Sequence, residues 1–572
     1  MIRLLVAVLG AASLYVVPAS GQIAEWQGTV TDNWFTAGNW NPSAVPGAGT
    51  NVIINTFSPN ATTISGASTA NLGSIQIGTT GSAELVVESG GILNNDEIGM
   101  LATEPDSVGF VIVQDSGSQW QIDHNLVIGQ SGTAILQLSG GGVINNNNGR
   151  IGNLNGSSGG VTLNGLSSWV NQGNLFVGHS GSAALDIRGQ SGVVNHAQAF
   201  VGYSVSGTGS VRVREGGGWS TWDHSFIGRE GEGDLSIESG GMVLNIDGYV
   251  GSDQNGVGDV TVTGIDSLWT STGNLTIGVE GYGEMAVSNG GVVNNWGIGV
   301  LGGLAGGEGL ATIGADSQWI SDEMLFIGDN GQGSLTIAGG EVINGQLAAI
   351  AAQGGSQGSV VLSSVGSHWH SMSDIFVGWR GEGVLQVSNG DVQVDGGVIV
   401  AVEPGSSGEL DISGGTLTTG TGTQVRAGGL MRGWGTVNGP VTIADGGRLL
   451  PGAVATGEAF TLDELELQPA AELLIAFVLA DGDPVHSALE VVGNLVLDGV
   501  LDVFDFGGAF GPGVYTIITF DGILTDNNMI IGDLPSLPDG HAAWIDTSIS
   551  GEVRLVVAPT EDEVFQDRFE VL

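Results

Sequence analysis

Short apolar alternations, broken by glycine pairs, run along most of the chain. "NLTIG" sets Leu275 and Ile277 on one face and Thr276 on the other, and "GEMAVSNGG" does the same with Met285 and Val287. A period of two is the mark of a half-buried strand. Glycine pairs such as Gly240-Gly241 and Gly290-Gly291 fall where such strands must turn a corner. Beyond the first residues, no helical period or capping pattern appears.

The alternation repeats as a block. Trp120, Trp169, Trp219, Trp269, Trp319 and Trp369 are 49, 50, 50, 50 and 50 residues apart. Nine residues after each stands a glycine preceded by Ile or Val: Gly129, Gly178, Gly228, Gly278, Gly328 and Gly378. Two residues before each stands a serine (Ser118, Ser167, Ser267, Ser317, Ser367), except that Gly217 precedes Trp219. Between these sites lie Ile77-Gly78, Ile98-Gly99, Ile151-Gly152, Val201-Gly202, Val250-Gly251, Ile298-Gly299, Ile350-Ala351 and Val400-Ala401. The basic unit is therefore about 25 residues, used in two alternating versions.

A unit of two or three short strands with corners, stacked many times, predicts one coil of a parallel β-helix, with inward Val, Ile and Leu forming a continuous core. At ~4.8 Å per strand, roughly 18 to 20 coils give a rod near 90 Å long. A propeller would also accommodate a 50-residue period. The half-repeat, and the lack of an Asn-Gly or Asp-Gly hairpin signal at a fixed column, favour the coil.

The ends depart from the pattern. Residues 22–70, with Trp26, Trp34 and Trp40, read as an N-terminal capping segment that covers exposed strand edges. The coils span 71–415 and degenerate end coils 416–456. Longer strands at 457–556 read as a C-terminal β module, and 557–572 as an acidic tail. Residues 1–21 have Arg3, an apolar stretch from Leu4 to Val17 and small residues after it, the form of a signal peptide. The expected mature chain is exported and has no membrane span.

Composition narrows the function. Glycine is 103 of 572 residues, without the period of three that collagen requires. Hydrophobic residues are 41%, enough for a core. Cysteine is absent, which removes disulfide and thiolate chemistry. The net charge is -47, and every basic residue is arginine. Such a chain repels nucleic acid and anionic membranes. The charge serves solubility; no ligand loop points to divalent-cation binding.

Some β-helices cleave polysaccharides with carboxylates clustered on neighbouring coils. Here the acids are spread thinly. Asp123-His124 and Asp223-His224 recur but stand one column apart relative to the tryptophans, and a one-residue slip reverses the face. They read as corner residues. His368 and His370 flank Trp369 on one strand face without a third ligand for zinc. No catalytic residue, metal site or cofactor is predicted. The tryptophan column Trp120, Trp169, Trp219, Trp269, Trp319 and Trp369 carries two readings. It is a stripe of exposed rings on which sugars stack, or it is scaffold, each ring packed at a corner with its N–H bonded to backbone. Rings less than a fifth exposed would dismiss the stripe.

The unit "GxLxVSxGGxVxN…IG…GxVTVxGxxSxW…NLxIG", over about residues 71 to 415, resembles the repeat of type V-secreted, autotransporter-like passengers and of some PEP-CTERM surface proteins. "GTVNGPVTIADGGRLLPG" (435–452) is similar to the stretch that often closes such passengers. The resemblance implies a right-handed parallel β-helix on a bacterial surface or outside the cell, and it supplies no catalytic residues. The chain departs from both groups: no C-terminal outer-membrane barrel pattern and no Pro-Glu-Pro sorting signal is recognisable. The expectation is a secreted or surface-displayed, adhesin-like or matrix-like structural rod, non-catalytic, whose partners are extracellular polysaccharide or other surface proteins. The alternative is a carbohydrate-binding or polysaccharide-cleaving β-helix, with its groove near Trp219, Trp222, Asp223 and His224.

Overall fold

The computed structural model describes residues 21–452, 458–480 and 483–560. Residues 1–20, where a signal peptide is expected, and residues 561–572 lie outside the described residues. The fold is all-β: about 20 parallel coils of roughly 25 residues form a β-solenoid, with extra strands at the C-terminus. Each repeat coil has three strands. In one, these are Thr208–Arg214, Gly218–Thr221 and Ser225–Ile227; in the next, Glu232–Glu238, Met242–Asn245 and Gly248–Val250. Equivalent strands pair in parallel from coil to coil, so three hydrogen-bonded ladders run the length of the rod.

Period-two burial appears as the sequence predicts. In the first ladder Val211, Leu235, Val260 and Met285 stack inward in register. Each pairing hides both the apolar face and the backbone groups of a strand too short to be stable alone.

The double repeat has a packing cause. In the second ladder Val243, Trp269, Val293, Trp319 and Val342 alternate down one inward column. In the third ladder Gly248, Leu275, Gly299 and Leu325 alternate in step. Four of the six indoles reach back over a glycine of the preceding coil, and Trp219 and Trp369 have Ala199 and Ala348 at that position. A Cβ on Gly248 would lie 2.9 Å from Trp269 Cζ2, and one on Gly149 2.9 Å from Trp169 Cζ2. A bulky coil therefore needs a small coil before it, and 25 residues become 50.

The same unit contains a buried polar column. Asn245 ends its strand inside the rod; its Oδ1 accepts from Trp269 Nε1 at 2.7 Å, and its Nδ2 donates to Ser271 Oγ at 2.9 Å. Asn295 does the same for Trp319 and Ser321, and Asn344 for Trp369 and Ser371. The indole N–H is thus bonded to a side chain of the coil before it, where a backbone acceptor at a corner was expected. The tryptophan sits mid-strand. Ser267 is the corner residue: its Oγ donates to Thr263 O at 2.8 Å and accepts from Gly240 N at 3.1 Å.

Two Ile-Gly sites of the half-repeat, Ile98-Gly99 and Ile298-Gly299, fall three residues before the corner. Gly99 pairs with Leu126 and Gly299 with Leu325, so neither is a corner. Both clear room for an indole, Trp120 and Trp319 respectively. The corners of those coils are Ala102 (φ 55°) and Gly302 (φ 68°).

Coil pairing also reaches further than residues 71–415. Ile23–Trp26 already pairs in parallel with Asn51–Ile54. Trp26, Trp34 and Trp40 are buried there, edge to face at 5.0 and 4.7 Å. At the other end Glu472–Ala480 pairs in parallel with Val500–Phe506, which pairs with Ile530–Ile531. Asp483–His486 folds back antiparallel on Glu472–Ala480 within this winding, and the antiparallel strands His541–Asp546 and Gly513–Phe520, on either side of Glu552–Pro559, close the sheet. Residues 557–559 belong to that last strand, inside the stretch expected to be tail.

Candidate functional site

All six repeat tryptophans are core. Trp120, Trp169, Trp269, Trp319 and Trp369 are 0% exposed and Trp219 is 2%. No ring presents a face to a ligand, so the sugar-stacking stripe is dismissed. The reason is strand parity: each indole occupies an inward position between two inward aliphatic residues of its neighbours.

The unusual coil is the one around Trp219. Its indole Nε1 has no hydrogen-bond partner. Asn195, the residue that should accept from it, instead accepts from Asn171 Nδ2 at 2.9 Å and donates to Thr221 Oγ1 at 3.3 Å. This is also the copy with Gly217 in place of serine and with Ala199 in place of glycine.

Outside that buried defect the surface changes character. On the outward side of the second ladder, Gly192 and Gly218 are register partners. They open a trough of about 420 Å³, flanked by Val194, Met242, Leu244 and Leu268. Met242 and Leu244 are 50% and 43% exposed. Just beyond, at the corner, Trp222 is 61% exposed and stacks on His196 of the preceding coil, with centroids 4.2 Å apart. Ile246 continues the apolar line on the following coil.

Beside Trp222 stands a charged group. His224 Nδ1 lies 3.0 Å from Asp247 Oδ2, and Nε2 lies 3.4 Å from Asp223 Oδ1. The bond to the Asp247 carboxylate raises the imidazole above its ordinary value against the opposing effect of burial. Asp247 is held down by His224 and by the Asn274 N–H at 2.7 Å. Asp223 Oδ1 also accepts from the His224 backbone N–H at 2.9 Å, so both carboxylates are tied to the histidine.

The pair sets a pH dependence. The stabilisation from a raised histidine is fully present below pH ~6.5 and is lost as pH rises through its folded value. The contribution of Asp247 is present above pH ~3.9 and is lost as pH falls through its depressed value. The expected result is a His224 proton-NMR titration with its midpoint above 6.5, which the Asp247→Asn variant moves downward; an unmoved midpoint would refute the pairing.

The third ladder contributes an aromatic column with no counterpart in the sequence reading. Phe176, Phe200, Phe226 and Tyr249 stack at 5.0 Å spacings on successive coils. Tyr203, with the Arg229 guanidinium 4.8 Å above its ring, covers the column, and Phe176 and Phe200 are buried. The signal was the second residue of "LFV", "AFV", "SFI" and "GYV", one coil apart. His179 packs on Tyr203, and burial, then the Arg150 charge, lowers its pKa.

Of the remaining candidates, Asp123-His124 lies in an earlier coil and is not brought to this site. His368 and His370 share a face, with centroids 6.4 Å apart, and His370 meets Asp395 at 3.1 Å. Among the described residues no group of three His, Asp or Glu is arranged to hold a metal ion, and no helix is long and apolar enough to cross a membrane.

A segment of 123 residues is 37% identical to the adhesin BmaC autotransporter of Brucella suis biovar 1 (strain 1330), covering 21% of this chain and 4% of that protein. No protein-family model matches the chain. The coil architecture and this segment together fit an autotransporter passenger-like β-helix.

Proposed function

We infer that the protein is a surface-displayed or extracellular adhesin-like rod that binds through its faces and has no catalytic function. The observation that carries this reading is the long coil stack among the described residues together with the 37% identity of a 123-residue segment to an autotransporter adhesin. A continuous solenoid spends its inward residues on the core and offers long, uniform outer faces, which suits adhesion more than a closed active site. Fractionation of the native cells with an antibody to the chain tests localisation: we expect the protein in the surface or medium fraction, and a cytoplasmic pool alone would overturn the reading. Turnover of any polysaccharide by the purified chain would overturn the non-catalytic part.

A further inference from the structure

Gly192 and Gly218 are glycines without a backbone reason. Neither has a positive φ. A Cβ on Gly218 would meet nothing within 4 Å, and one on Gly192 only the Gly218 carbonyl at 3.9 Å. Nearly all the other glycines of the coils have a positive φ or an atom of a neighbouring coil that a Cβ would crowd; Gly160 and Gly354 are also open, but neither has a second open glycine as its register partner. In a strand, glycine costs stability, and it marks places where another chain or ligand comes close. Here two missing side chains on adjacent coils create the trough itself.

What surrounds the trough selects its occupant. Met242, Leu244 and Trp222 are large and exposed, in a protein whose charge of -47 gives it every means to be polar. The polar side chains lining the trough are Ser220 and Thr270. A sugar chain needs a dense set of hydrogen-bonding groups, which this lining does not offer. Exposed Met and Trp around an apolar depression are the residues that anchor protein partners. The protein's net charge of -47 makes a strongly negative surface field that attracts cations.

We propose that the Gly192–Gly218 trough, with Met242 and Leu244 on its walls and Trp222 just beyond it, docks an extended basic segment of a partner protein through one bulky apolar side chain. This deepens the adhesin-like reading and rests on it: the trough is the contact point, and the acidic rod steers the basic partner towards it.

The test uses the purified chain and two synthetic peptides, one alternating lysine with leucine and phenylalanine, the other with alanine at every apolar position. Titration calorimetry at near-physiological salt should give saturable binding of the first, about tenfold weaker for the second. Gly218→Val, which fills the trough, and Trp222→Ala, which is on the surface and leaves the core intact, should each weaken the first peptide about tenfold. Thermal unfolding of both variants near the parent's value shows that they fold. Equal binding of both peptides, or binding indifferent to Gly218→Val, reduces the effect to bulk charge and overturns the proposal. Binding of a neutral polysaccharide that Gly218→Val abolishes would reassign the trough to glycan. Because the assay uses purified protein, it can fail while cell-surface localisation stands, and the reverse.

Discussion

Replacing Trp269 by alanine is expected to destabilise the rod by about 3–5 kcal/mol, the cost of emptying a fully buried aromatic site. The ring fills the space above Gly248, contacts Leu275's column, and donates to Asn245. Trp269→Phe separates these effects: most of the volume stays, but Asn245 Oδ1 loses its donor inside the core, a loss of about 1–3 kcal/mol. A solenoid is held by nearest-neighbour contacts, so the damage should be local. Amide exchange should quicken in Met242–Asn245, Leu268–Ser271 and Val292–Asn295, while Glu472–Ala480 keeps its protection. Uniform loss along the rod, or none, would contradict the two-coil unit.

The two-coil unit also shows what could be read before folding. The tryptophan column was legible because 50-residue spacing needs only counting. Its burial was not, since a tryptophan serves equally as core or as sticky surface, and one residue of register decides which. The acceptor was written in the sequence as the asparagine 24 residues earlier, but a coil-to-coil side-chain bond is invisible until the coil length is fixed to the residue. Gly99 and Gly299 could not be told from corner glycines for the same reason: Ile-Gly recurs both at corners and under indoles. At the candidate site, the cluster of Trp222, Asp223 and His224 was legible as local composition. Asp247, the partner that raises His224, and His196, the ring under Trp222, each stand a coil away. The trough could not be read at all, because Gly192 and Gly218 look like every other glycine until their φ angles and open surroundings are known. The C-terminal winding was hidden because its coils replace glycine corners with longer strands such as Glu472–Ala480.

Corner glycines give the second large effect. Gly278 has φ 69°, and a Cβ there would fall 2.1 Å from the Glu308 carbonyl oxygen and 2.5 Å from the Gly309 nitrogen. Both obstacles are backbone and belong to a neighbouring coil, so relief requires moving a paired strand. The alternating coils set an upper limit on what the corner tolerates: Ala102, Ala351 and Ala401 hold φ of 55–59° with a methyl in place. Gly278→Ala should therefore cost about 1–2 kcal/mol, the strain of a left-handed non-glycine residue plus a small strand shift. Gly278→Val adds a β-branched side chain that no corner of the rod carries. Strain and overpacking together should reach about 3–5 kcal/mol, enough to open the neighbouring coils or prevent soluble expression. Ala351→Gly is the reciprocal control and should leave the denaturation midpoint unchanged or raise it, because the methyl it removes holds a strained φ. A Gly278→Val chain as stable as the parent would mean that the rod's corners tolerate branched residues, and the glycine at nearly every one of these corners would then need a reason other than sterics.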